Sequence, residues 1–107
     1  MARWLVPVVW LAAVGCAWTT PQLHVAATGA MAADCTSTAA QVGRPDRVEL
    51  NPLLGPKPSV GEIVAWCGLA VTTTHAVADL LPVPWRRAWL TSVTVLELTV
   101  FLFNVTP

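Results

Sequence analysis

Charge is spread along this chain in a way that leaves few folds open. The first 43 residues carry only Arg3 and Asp34, six charges then crowd between Arg44 and Glu62, and the remainder has Asp79, Arg86, Arg87 and Glu97. Long apolar blocks are thus set off by one polar stretch and one short basic turn. Charged side chains amount to 11% of the 107 residues and apolar ones to 55%, whereas an ordinary soluble domain is about 25% charged. So few charges do not cover the surface of a soluble fold, and a chain this apolar is not of the disordered class. The 6 basic and 6 acidic side chains cancel, so the sequence offers no basic surface for phosphates and nucleic acid is excluded as a partner.

The expected fold class is all-α: a small transmembrane helical bundle, built from a helical hairpin plus one or two N-terminal apolar helices. Lipid offers no water to backbone groups, which restricts spanning segments to helices and closed barrels. The first block, Trp4 to Trp18, follows Arg3 and runs into Thr19-Thr20-Pro21, which reads as a breaker. It is shorter than the roughly 20 residues a span needs. A basic start and a short apolar core suit a secretory signal peptide or an uncleaved signal anchor over residues 1–21. Residues 22–107 then form the helical membrane domain, with spans expected at about 22–42, 60–81 and 88–104 and a polar loop at 43–59.

Pro45, Pro52, Pro56 and Pro58, with Gly43 and Gly55, bar a long helix from that loop. Ser59 and Glu62 have capping-box spacing and start the next helix. Pro82 ends it, and the connector Pro82 to Arg87 is short enough to lay the last helix antiparallel beside it. The last block is rich in β-branched residues, which favour strands, but a lone strand in lipid leaves its backbone unpaired, so a helix is expected. Trp85 and Trp89 flank Arg86 and Arg87 as at a membrane interface. The positive-inside rule claims the cytoplasmic side both for this turn and for the loop with Arg44, Arg47 and Lys57, and a span between them forbids both.

Polar residues within the apolar blocks are the candidate site. Asp34, Ser37, Thr38 and Gln41 recur at i, i+3, i+4 and i+7, one face of a helix, which favours packing against protein. Glu97 sits mid-block, where a charge costs about 2.5–3.5 kcal/mol. Asn104 lies seven residues on and Thr94 three before, on the same face. Glu97 reads as an intramembrane functional site or, preferably, as an inter-helix hydrogen bond to Ser37, Thr38 or Thr72 that holds the bundle together. His75 and Asp79 share a face at i and i+4, with Thr72 three residues before. They read as a His–carboxylate relay or, preferably, as a helix-end carboxylate near Pro82 that meets water.

One His and one Asp are too few ligands for a metal site. Cys16 closes Ala13-Val14-Gly15-Cys16, which resembles a lipoprotein lipidation box; the plainer reading is a small apolar helix residue. Cys16, Cys35 and Cys67 lack metal-ligand spacing, and a disulfide needs an adjacency that spacing does not reveal, so all three read as small helix residues. There is no phosphate loop, G-x-S-x-G or H-E-x-x-H motif. No catalytic residue, metal or cofactor is expected.

The stretch Glu49-Leu50-Asn51-Pro52-Leu53-Leu54-Gly55-Pro56-Lys57-Pro58-Ser59 is similar to the signature of a family of small bacterial and prophage membrane proteins. In that family an Asp and a Ser/Thr-Thr-like step precede Glu-x-Asn-Pro-Leu-x-Gly-x-x-Pro-Ser, and two apolar helices follow. Asp34 and Ser37-Thr38 match the first part, and Glu97 and Asn104 look like the Glu and Asn of the last helix. The likeness runs from Asp34 to Asn104 in motif order. It implies a membrane location and a helical hairpin, with three spans after any signal, and no activity. The chain departs from it in a longer tract between Thr38 and Glu49, with Arg44, Asp46 and Arg47. As residues, Glu49 and Asn51 are turn and cap positions, Asn51 closing an Asx turn before Pro52. As a motif they would bridge the loop to Asp34 or Glu97.

The functional expectation is a small integral protein of the bacterial inner membrane, non-catalytic and acting through helix–helix contacts. Its partners would be the lipid bilayer and either further copies of itself or another membrane protein. The alternatives are a phage lysis-associated, holin-like protein, a proton- or ion-linked transport subunit using Asp34, His75, Asp79 and Glu97, and an exported lipoprotein.

Overall fold

The computed structural model describes residues 17–42, 44 and 57–106. Among the described residues the chain is all-helical, with three helices and no strand. Helix α1 is Thr20–Ala39, α2 is Val60–Leu80 and α3 is Val83–Val105. Each start has a local cause. Thr19 caps α1 by accepting from the Gln22 amide at 3.3 Å, while the Gln22 side chain accepts from the Thr19 amide at 2.9 Å. Thr19-Thr20-Pro21 therefore opens a helix and does not break one, because proline is tolerated in a first turn where its missing N–H has no partner to lose. Ser59 and Glu62 cap α2 in the same reciprocal way, at 3.1 and 3.3 Å.

Two boundaries differ from the sequence expectation. Helix α1 ends at Ala39, and Ala40 to Val42 turn away from it. Helix α3 begins at Val83, not Ala88, with Pro84 in its first turn. The connector is thus only Leu81 and Pro82, and Trp85, Arg86 and Arg87 are helical. Arg86 closes the corner: its Nε donates to the Ala78 carbonyl at 2.8 Å and its Nη2 to the Leu81 carbonyl at 3.1 Å. The Ala78 carbonyl also accepts from the amide of Leu81, the C-cap of α2, so the guanidinium covers the carbonyl end of that helix. The Trp89 indole donates to the Thr74 carbonyl at 2.9 Å, so Trp89 turns inward while Trp85 stays 68% exposed. The expected pair of interfacial tryptophans is thereby divided.

Contacts of Arg86 and Trp89 with successively earlier turns of α2 make α2 and α3 antiparallel. Helix α1 is antiparallel to α2 and parallel to α3, on which it makes its most extensive contact. The buried centre is small: Leu23, Ala27 and Met31 of α1, Ala78 of α2 and Leu90 of α3. Large apolar side chains such as Val64, Leu69, Leu96 and Phe103 are at least 60% exposed.

By length and composition α2 and α3 can each cross a membrane. The core helix of a soluble protein would be covered by its neighbours, yet only 17% of the apolar window of α2 and 11% of that of α3 is buried. This outward-facing apolar surface suggests a membrane location. Helix α1 has the length but not the apolarity of its two neighbours.

A disulfide joins Cys35 of α1 to Cys67 of α2, with 6.2 Å between their Cα atoms. This corrects the reading of both as plain helix residues. Their adjacency arises from the antiparallel packing of α1 on α2, which spacing along the chain does not encode.

Candidate functional site

The polar stripe of α1 meets the polar face of α3. Ser37 Oγ donates to the Asp34 carbonyl at 2.9 Å and Thr38 Oγ1 to Asp34 Oδ1 at 3.2 Å. From α3, Asn104 Nδ2 lies 3.0 Å from Thr38 Oγ1, 3.1 Å from Ser37 Oγ and 3.4 Å from Asp34 Oδ1. An amide has two hydrogens, so Asn104 serves two of these three acceptors at a time. Gln41 Nε2 returns a bond to the Asn104 backbone carbonyl. The Glu97 carboxyl faces the Asp34 carboxyl closely enough for the two to interact.

Parallel packing explains the assembly. Residues seven apart on α3, Glu97 and Asn104, fall on one face and lie along residues 34 to 41 of α1. Glu97 thus finds Asp34 in place of Ser37, Thr38 or Thr72; Ser37 and Thr38 are taken by Asn104, and Thr72 is exposed. An ionised carboxylate only accepts hydrogen bonds, so a bond between two carboxyl groups requires that they share one proton. Thr94 is buried and turned back onto its own helix, donating to the Leu90 carbonyl at 2.7 Å. Among the described residues no buried side-chain polar atom lacks a partner.

A second polar contact joins α1 to α2. His75 Nδ1 lies 2.7 Å from His24 Nδ1, and His75 Nε2 lies 2.7 Å from Thr28 Oγ1. Both ring nitrogens of His75 are therefore occupied by α1, which leaves neither for a relay with Asp79. Asp79 is exposed and acts on His75 only as a nearby charge. Sequence reasoning missed His24 as a site residue. The available signal was that this 107-residue chain has only two histidines, and that His24 and Thr28 are four apart on one helix.

Beside the α1–α3 cluster lies an open hollow of about 460 Å³, walled by Ala32, Thr36 and Ala40 of α1 and by Phe101 and Val105 of α3. Its walls are methyl and ring surface, suited to an acyl chain more than to a polar substrate. Among the described residues no group of three or more His, Cys, Asp or Glu is placed to hold a metal ion. Of the loop motif, Ser59 is the cap of α2 and Pro58 precedes it. Glu49, Asn51, Pro52 and Gly55 lie outside the described residues, as do Cys16 and most of the expected signal segment. No protein-family profile, curated protein sequence or solved structure matches the chain.

Proposed function

We propose that this chain is a small protein of the bacterial inner membrane that performs no catalysis and acts through helix–helix contact, with itself or with another membrane protein. One observation carries the reading: the polar side chains of α1 are spent on α2 and α3, while the apolar faces of α2 and α3 point outward. A substrate site would leave convergent polar groups at a pocket, and the one hollow described above is apolar. The likeness of the loop to small bacterial and prophage membrane proteins supports the bacterial assignment. On this reading, controlled expression yields protein that stays in the membrane fraction through alkaline carbonate washing, and growth is unaffected. Timed lysis on induction would instead establish the holin-like alternative. The transport alternative draws on the facing carboxyls of Asp34 and Glu97; proton flux in proteoliposomes, abolished by Glu97→Gln, would establish it and overturn the structural role.

The disulfide also supplies an orientation. Disulfides persist in oxidising compartments and are rare where thiols are kept reduced. Cys35 lies four residues before the end of α1 and Cys67 seven after the start of α2, so the bond belongs to the end that bears the 43–59 loop. That end, with Arg44, Arg47 and Lys57, then faces the periplasmic side and the Arg86-Arg87 corner the cytoplasm; the positive-inside rule, which claims both, is satisfied only at the corner. In a Cys16→Ser background, a cysteine at Lys57 is expected to react with an impermeant maleimide on intact spheroplasts. A cysteine at Asp79 is expected to react only after permeabilisation. The reverse pattern overturns the orientation.

A further inference from the structure

We propose that His24, His75 and Thr28 form a single-proton site that clasps α1 to α2 and opens when a second proton binds. The tautomers follow from the hydrogen count. Thr28 Oγ1 donates its one hydrogen to the His24 carbonyl at 3.0 Å, so toward His75 Nε2, 2.7 Å away, it is an acceptor. His75 Nε2 therefore carries a hydrogen, and a neutral His75 leaves Nδ1 bare. That nitrogen accepts from His24 Nδ1–H at 2.7 Å, which leaves His24 Nε2 bare in turn. With both rings neutral, every hydrogen in the ring of contacts has an acceptor.

The first added proton goes to His24 Nε2, the ring nitrogen that none of these bonds uses. The His24–His75 bond survives and gains charge assistance. A second proton has only His75 Nδ1 to go to. It would set two N–H groups head to head at 2.7 Å and two cations in rings whose centroids are 4.9 Å apart. The contact then breaks.

The charged groups on the packed helices are few. On α2, Asp79 places a negative charge near His75. On α3, Arg86 is bound to the Ala78 and Leu81 carbonyls, beyond His75 along the chain. On α1 the next titratable group toward the C-terminus is Asp34, ten residues along, or about 15 Å at helical rise. Thr28 is exposed and His75 sits one and a half turns from the end of α2, so protons from water reach the site. The Cys35–Cys67 bond lies about 16 Å further along α1 at helical rise and holds the other end, so opening pivots about the disulfide. The inference does not rest on the proposed membrane role.

Nitrogen NMR of the full chain with isotopically labelled histidine, disulfide intact and in phospholipid nanodiscs, tests it. At neutral pH the expected spectrum shows coupling across the His24 Nδ1–His75 Nδ1 bond. Acidification is expected to give two uptake steps more than about one pH unit apart. The first places the proton on His24 with the coupling kept, and the second abolishes the coupling. Thr28→Val, at an exposed position, keeps both rings but removes the tautomer lock, and the first proton then divides between them. Two rings that titrate as independent imidazoles, coupling that survives double protonation, or a first proton confined to His24 in Thr28→Val would each overturn the proposal.

Discussion

Serine at both Cys35 and Cys67 is expected to destabilise the bundle by about 3–4 kcal/mol, the largest effect of any change away from the buried centre. The crosslink closes a loop of 32 residues, and the chain-entropy estimate for a loop of that length is about 3.7 kcal/mol. The loss falls on one helix. Helices α2 and α3 stay joined by a two-residue connector and by the Arg86 and Trp89 bonds, whereas α1 is tied to them through a long intervening tract. Helix α1 is also the least apolar of the three, so once detached it gains least from lipid. Unfolding in mixed detergent measures the loss, and limited proteolysis should cut the double-serine variant first within α1. The unsubstituted protein, made where thiols stay reduced, should behave like that variant. Equal stability of the disulfide-bonded protein and the double-serine variant, or free thiols at both positions in protein isolated from membranes, would sink this account and the orientation drawn from it.

Helix identity and polar stripes were legible in the sequence to different degrees, and the difference has a physical origin. Caps are local: Ser59 and Glu62 announce α2, and Thr19 and Gln22 announce α1 by the same spacing. The second signal was masked by Pro21, and the start of α3 was hidden by Pro84 in the same way. Proline reads as a breaker in a linear scan, yet a first turn accommodates it. Stripes are also local, since Asp34, Ser37, Thr38 and Gln41 share a face by helical period alone. Partners are not local. That Glu97 meets Asp34, or His24 meets His75, depends on how α1 lies against α2 and α3, the members of each pair being 63 and 51 positions apart in sequence.

One fixed contact would have exposed another. Given the Cys35–Cys67 bond, moving 11 residues back along α1 and 8 forward along antiparallel α2 arrives at His24 and His75. The cysteines were the missing register mark. They were passed over because spacing in sequence carries no information on pairing between helices.

Leucine at Asp34 is expected to weaken the α1–α3 contact by about 1–3 kcal/mol, and asparagine at the same position to leave it nearly intact. Leucine removes the acceptor of Thr38 and Asn104 together with the partner of Glu97. Inter-helix hydrogen bonds in membranes average about 0.6 kcal/mol each and reach about 1.7, so losing the two contacts that cross to α3, with Asn104 and Glu97, gives the stated range, the Thr38 bond lying within α1. Asparagine keeps an acceptor for Thr38 and Asn104 and adds a donor to Glu97. The same logic at the other end has Glu97→Gln keep the fold and Glu97→Leu lose it.

The substitutions separate a packing role from a proton role. A hydrogen bond between the Asp34 and Glu97 carboxyls requires one shared proton, and a folded state that binds more protons than the separated helices loses stability as pH rises. Alkaline pH should therefore loosen α1 from α3 in the unsubstituted protein. Asp34→Asn, whose amide supplies the hydrogen that the proton had supplied, should resist it. The readout is the pH dependence of unfolding in detergent, compared between the two proteins. If leucine and asparagine at Asp34 behave alike, the cluster is not what binds α1 to α3. If asparagine matches the unsubstituted protein at neutral pH but keeps its stability at alkaline pH, the carboxyl pair is helix glue that needs its proton only to bond.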